Sequence, residues 1–268
     1  MKSIICVCLL SCLTSLNLYA AKFEVDNVVI DYQITGKGEP LLILHGGFGS
    51  KEAMRPQIEY LKNNFQVIAV DSREHGLSTS GKKPISYELM YKDTLALTKK
   101  LGFKKINILG YSDGAILGLM MASRNPDLVN KMVVIGANYH WNAINEKDRK
   151  EFSKYKATDM PAAMKDNYLK HDKGLKGFEN HFNEMISMFL TSPNMTTDDI
   201  SKIKAEVLII AGDQEMINIS HTISMFHSIK KSQLFVIPGV GHRFQKKLKL
   251  VNGVIGDFML PKQTNASE

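Results

Sequence analysis

Cysteine is missing from almost the whole chain. All three cysteines, Cys6, Cys8 and Cys12, fall within the first twelve of 268 residues. Nothing downstream can therefore form a disulfide, attack as a thiolate or hold a metal through sulfur. No His-Glu-x-x-His run and no clustered metal-ligand spacing is present, so no metal is expected. The glycines at 46–49 are not a dinucleotide fingerprint, because Glu52 stands where the third glycine belongs, and no Gly-Lys-Ser/Thr follows to make a phosphate-binding loop. No cofactor is expected either. The net charge of +7 comes largely from lysines scattered in pairs, such as Lys99-Lys100 and Lys246-Lys247, which reads as solvated surface and not as a nucleic-acid stripe. No apolar run reaches the roughly twenty residues that a bilayer span requires, so the mature chain has no expected transmembrane segment.

What is present begins with a leader. Residues 1–20 start with Lys2, continue through an apolar stretch from Ile4 to Leu16 and end at the small pair Ala20-Ala21. That order of positive start, apolar middle and small-residue cut is the pattern of an export signal, which predicts a periplasmic or secreted mature chain from residue 21 to 268. A lipoprotein signal ending at Cys12 is the alternative.

The remainder has 44% hydrophobic residues in the whole chain and enough length for one large domain with an insertion. "KFEVDNVVIDYQITG" predicts two short antiparallel strands turning near Asp26-Asn27. "PLLILHGG", "FQVIAVD", "KINILG", "KMVVIGA", "AEVLIIAGD" and "QLFVIPG" are continuous apolar runs, as strands buried on both faces must be. Helical patterns separate them, with Ser86 as the expected cap of one helix and Asn125-Pro126 ending another. The alternation predicts an α/β fold with a mainly parallel, eight-stranded sheet flanked by helices. Between about 138 and 200 no strand is legible. There Phe178, Phe182, Met185, Ile186 and Phe189 recur at three- and four-residue steps, predicting a helical cap that packs on the domain and roofs a pocket. The polar tail "PKQTNASE" lies beyond the last helix.

"ILGYSDGAIL" (108–117) carries the chemistry. Ser112 sits between Gly110 and Gly114, after a strand and before a helix, the context in which a serine is thrust into the open on a sharp turn. A serine hydroxyl needs a base, and the base needs an acid to hold it. Of eight histidines, His242 lies just past the last strand in "PGVGHRF". His45 begins a glycine turn, where bracing a loop is its ordinary role, and His140, His171, His181, His221 and His227 fall in helical segments suited to packing or surface. The acid comes from "IIAGDQE", where Asp213 and Glu215 both precede His242 by one helix and one strand. "LHGGFG" (44–49) offers backbone N–H donors for an oxyanion: Gly47 first and Phe48 second, with Asp113 supplying the other amide.

These residues resemble the α/β-hydrolase superfamily, in its lidded, esterase-like branch. "LHGGFGS", "VDSREHGLS", "LGYSDGAILGL", "AGDQEMI" and "PGVGHRF" stand in that family's order across essentially the whole mature chain. The resemblance implies Ser112 as nucleophile, His242 as base, and Gly47 and Asp113 as oxyanion-hole amides. It points to Glu215 over Asp213 as the acid, although relatives usually carry Asp there. Glu74 is a second departure, standing where relatives commonly have glycine, and is expected to alter a loop and not the mechanism. Phe48, Phe182 and Met185 are the expected substrate-facing side chains. The expected activity is hydrolysis of a small-molecule ester or related carbonyl compound through an acyl-enzyme. A carbon–carbon bond hydrolase or cofactor-free perhydrolase would share the same residues, and a slow-turnover ligand receptor or signalling module would keep them while presenting its cap to a partner. Oligomeric state is not legible.

Overall fold

A computed structural model describes residues 19–169 and 174–260. Strands β1 (Tyr19–Val25) and β2 (Val28–Thr35) pair antiparallel through Asp26 and Asn27, both at positive φ, as the tight turn between twisted strands requires. Tyr19 and Ala20 already pair with Ile34 and Gln33, so the first strand begins two residues ahead of the expected cut after Ala20. Residues 1–18 of the expected leader, and the tail 261–268, lie outside the described residues.

Six further strands follow: β3 (Glu39–Leu44), β4 (Phe65–Val70), β5 (Ile106–Tyr111), β6 (Val129–Ile135), β7 (Glu206–Gly212) and β8 (Ser232–Ile237). The sheet order is β1-β2-β4-β3-β5-β6-β7-β8, with β2 antiparallel to β4 and every pair from β4 through β8 parallel. Each parallel strand must be reached by a crossover, and the crossovers place helices on both faces. Helices α1 (Arg55–Leu61) and α9 (Leu248–Met259) cover one face with Ile58, Leu61, Val251 and Ile255 against Leu41, Ile43, Val67 and Ala69. Helices α2 (Tyr87–Lys100), α3 (Asp113–Arg124) and α8 (Ile219–Ser228) cover the other, against Leu42, Leu44, Ile68 and Val70. Successive residues of β3 and β4 thus enter opposite cores, which is why their sequences are continuous apolar runs and not alternating ones. Each such side chain contributes about 1.5–3 kcal/mol by leaving water.

Two helices show why local sequence suits its place. The Ser86 hydroxyl accepts the Leu89 N–H at 3.3 Å and caps α2 as expected. In α3 every residue from Asp113 to Ser123 is buried. A helix apolar on all sides belongs in the middle of a domain.

Between β6 and β7 the chain forms α4 (Glu146–Phe152), α5 (Ala162–Leu169), α6 (Gly174–Thr191) and α7 (Thr197–Ser201), with short 3-10 turns and no strand among the described residues beyond two isolated bridges. The apolar stripe of α6 faces inward, with Phe178, Phe182 and Met185 buried. Two polar contacts tie it to the sheet domain. Glu184 accepts the Ile85 N–H at 2.8 Å, and His181 Nδ1 lies 3.2 Å from the Glu74 carboxylate. Glu74 holds a φ of 65° and is buried, so the residue that departs from glycine carries backbone strain and spends its side chain on the cap. No helix among the described residues is long and apolar enough to cross a membrane.

Candidate active site

The site is assembled at the C-terminal ends of the parallel strands, where an open α/β sheet leaves a crevice. Ser112 stands between β5 and α3 at φ 53° and ψ −117°, a conformation that costs a non-glycine residue about 1–3 kcal/mol. Its N–H is fixed by the Ile135 carbonyl at 2.8 Å. The flanking glycines are steric necessities. A Cβ at Gly110 would meet the Gly114 carbonyl oxygen at 2.4 Å, and one at Gly114 would meet the Leu44 carbonyl oxygen at 2.2 Å.

Strand order brings β5, β6, β7 and β8 side by side, so the loops after β7 and β8 reach Ser112. His242 Nε2 lies 2.9 Å from Ser112 Oγ, and His242 Nδ1 lies 2.6 Å from Glu215 Oε1. A carboxylate can only accept, so Nδ1 carries the proton and Nε2 is left to accept from the serine hydroxyl. Glu215 is nearly fully buried, and its Oε1 also accepts the Met216 N–H at 3.0 Å. Asp213 does something else. Its Oδ1 accepts the N–H groups of Gly239 at 2.7 Å and Val240 at 3.3 Å, pinning the loop that presents His242. Of the two acids left open by the sequence, Glu215 alone is paired with His242.

Gly47, Asp113 and Ser112 border one cavity of about 270 Å³, walled mainly by Phe48, Phe182, Ile186 and Phe189. Phe48 and Phe182 are stacked, with ring centroids 5.7 Å apart. Met185 is not on the cavity wall. It lies in the core behind Gly47, where its Cε would be 2.9 Å from an added Cβ, and the next residue, Ile186, takes the wall position. The second-ranked oxyanion amide, that of Phe48, is engaged elsewhere: it donates to His75 Nε2 at 3.2 Å. Gly47 and Asp113 remain as the amides beside the serine.

Three residues at the site were not anticipated. Gly136, at the end of β6, sits under the paired histidine and glutamate, where a Cβ would come within 3.0 Å of His242 Cε1. Tyr111 donates its hydroxyl to the His242 carbonyl at 3.0 Å, and burial, reinforced by the Glu215 charge, pushes its phenol up to about 12. Tyr87 donates to Asp113 Oδ1 at 2.8 Å, while Asp113 Oδ2 is buried without a hydrogen-bond partner among the described residues. Burial raises the Asp113 carboxyl to about 6, against the pull of the Tyr87 hydrogen bond and the His242 charge. A glycine ending a strand was the available hint for Gly136; the two tyrosines had none.

The other histidines are placed away from Ser112. His221 accepts the Tyr139 N–H at 3.1 Å, and burial lowers it to about 4. His140 caps the turn at Trp141–Ala143, His45 braces its own loop, and His181 is cap core. His171 lies outside the described residues.

Comparison with known proteins agrees with this layout. The sequence pattern of the alpha/beta hydrolase fold matches residues 39–173. The mouse (Mus musculus) protein "Serine hydrolase BPHL" is 28% identical over 256 residues, covering 90% of this chain and 86% of the mouse one. The "(E)-2-((N-methylformamido)methylene)succinate hydrolase" of Acinetobacter baylyi is 25% identical over 240 residues, covering 81% and 88%. Among solved structures, MGS-M2, an alpha/beta hydrolase enzyme from a Medee basin deep-sea metagenome library, superposes with a TM-score of 0.74 at 18% identity, covering 92% of this chain and all of that one. At that identity the superposition speaks to the fold.

Proposed function

Because the chain belongs to the α/β-hydrolase fold family, we propose that it is a serine hydrolase cleaving small esters through an acyl-enzyme on Ser112. One observation carries the proposal: an unbroken hydrogen-bonded line from Ser112 through His242 to Glu215, at 2.9 and 2.6 Å, opening into an apolar cavity. His242 Nε2 takes the hydroxyl proton as Oγ attacks the ester carbonyl. The carbonyl oxygen becomes an oxyanion, met by the N–H groups of Gly47 and Asp113, each worth about 3 kcal/mol in this role. The Asp113 amide opens α3, where the helix dipole adds to the stabilisation of negative charge. Glu215 holds the imidazole in its tautomer and balances the imidazolium. His242 then passes the proton to the leaving alcohol, and a water activated by the same nitrogen releases the acid.

The cavity of about 270 Å³ lies at the small end of ligand pockets, which run about 300–1,000 Å³, and its aromatic wall suits a short apolar group. Export belongs to the same proposal and rests on residues 1–20 alone. N-terminal sequencing of chain recovered outside the cytoplasm tests it: a start at residue 21 supports a cleaved leader, and a start at Met1 or a lipid on Cys12 contradicts one. The activity is tested with p-nitrophenyl esters from acetate to octanoate. Sustained turnover highest on the short chains is expected. No turnover on any member, with carbon–carbon cleavage of a vinylogous diketone instead, would replace the ester reading by its competitor.

A further inference from the structure

The two histidines nearest the Gly47 loop are not part of the Ser112 line, yet they are joined to that loop and to each other's. His45 and His75 are both buried, with ring centroids 5.0 Å apart. His45, on the loop after β3, accepts the Ser72 N–H through Nε2 at 3.1 Å. His75, on the loop after β4, accepts the Phe48 N–H through Nε2 at 3.2 Å. Each loop thus lends an imidazole to an amide of the other. An amide N–H can only donate, so both rings carry their proton on Nδ1, and each Nδ1 meets a carbonyl: Gly46 O for His45 at 2.7 Å and Arg73 O for His75 at 2.9 Å.

The peptide units held this way are consecutive. The Gly46 carbonyl shares a plane with the Gly47 N–H and points the opposite way, so a grip on the carbonyl by His45 Nδ1–H and the Gly49 N–H aims that amide. The next unit, Gly47–Phe48, leads into a Phe48 φ of 56°, which a phenylalanine adopts only when its surroundings enforce it. His75 holds the N–H of that unit and is itself boxed in by the ring of His181 at 4.8 Å.

We propose that His75 is a positioning residue for the oxyanion hole: by accepting the Phe48 N–H it locks the Gly47–Phe48 turn, aims the Gly47 amide at the reacting carbonyl and keeps the Phe48 amide out. The inference rests on the serine-hydrolase reading. A misplacement on the scale of 1 Å costs up to about a hundredfold in rate, and loss of one oxyanion donor about 10²–10³.

The test compares His75→Gln, whose amide oxygen can stand where Nε2 stood, with His75→Asn, whose shorter side chain can serve the Arg73 carbonyl but cannot reach the Phe48 amide. Active sites are titrated with a fluorophosphonate, so that misfolded protein is not counted, and kcat and KM are measured on the best p-nitrophenyl ester. His75→Asn is expected to lose at least about tenfold in kcat per titrated site with KM within about twofold. Its affinity for a trifluoromethyl ketone, which forms an oxyanion on the serine, is expected to fall by a similar factor. His75→Gln is expected to stay within about threefold of wild type on both measures. Unchanged kcat and ketone affinity in His75→Asn would overturn the inference alone, as would equal losses in both variants, which would assign the effect to ring packing. A wild-type chain that neither labels nor turns over would remove the serine-hydrolase reading and this inference together.

Discussion

Asp113→Asn isolates a cost that the structure locates at one carboxyl. Asp113 is buried, one of its oxygens has no hydrogen-bond partner among the described residues, and burial moves the group from 3.8 to about 6. That difference of about two pH units corresponds to about 3 kcal/mol, at 1.36 kcal/mol per unit. Below 3.8 the carboxyl is protonated folded and unfolded alike, and it makes no pH-dependent contribution. As the pH rises, the unfolded chain loses the proton first while the folded one retains it, so stability falls until the folded group also ionises near 6, and is level above that. The amide of Asn does not titrate. It does leave an unpartnered N–H where Oδ2 stood, costing about 1–3 kcal/mol at every pH, so absolute stability is a poor readout. The double difference is a clean one. Urea unfolding of both chains at pH 4 and pH 8 should show wild type losing about 2–3 kcal/mol more than Asp113→Asn across that interval, all other groups titrating equally. Parallel losses in the two chains would refute the placement of an unsolvated carboxyl on the cavity floor.

The two acids of the loop after β7 separate by what each substitution preserves. Glu215→Gln keeps the shape but not the charge behind His242, and kcat on a short-chain ester should fall by about 10²–10⁴. Asp213→Asn keeps an oxygen for the Gly239 and Val240 amides, so its kcat should remain within about threefold; a larger loss in Asp213→Asn than in Glu215→Gln would reverse the assignment. Away from the site, Arg73 and Asp93 form a buried two-point pair at 2.6 and 2.7 Å. Arg73→Leu alone should destabilise by about 3–5 kcal/mol in urea melts by stranding the carboxylate, whereas Arg73→Leu with Asp93→Leu should recover most of that loss; no recovery would mean that the guanidinium's packing matters more than its charge.

Much of the fold was legible because buried parallel strands have no solvent face to encode. Leu41 to Leu44 feed two cores at once, and the resulting unbroken run is hard to mistake. Ser112 was legible for a similar reason: the collisions awaiting any Cβ at 110 or 114 leave only glycine, and glycine is visible in a sequence. The choice between Asp213 and Glu215 was not settled by the residues alone, since it depends on which carboxylate is spent on the Gly239 and Val240 amides. Strand order was equally hidden. That β3 inserts between β4 and β5 places the loop of His45 beside that of His75, and no local pattern near either histidine announces the other. Met185 and Ile186 show the limit of periodicity: a stripe identifies the inward side of α6, but not which neighbour meets the core and which meets the cavity.

The central claim is that Ser112 is the nucleophile, and intact-mass analysis after exposure to a fluorophosphonate addresses it directly. Wild type should gain one phosphonyl group, located on Ser112 by peptide mapping, and lose its esterase turnover in step with labelling, while Ser112→Ala should neither label nor turn over. Equal labelling of Ser112→Ala, or an active wild-type chain that never labels, would contradict the account.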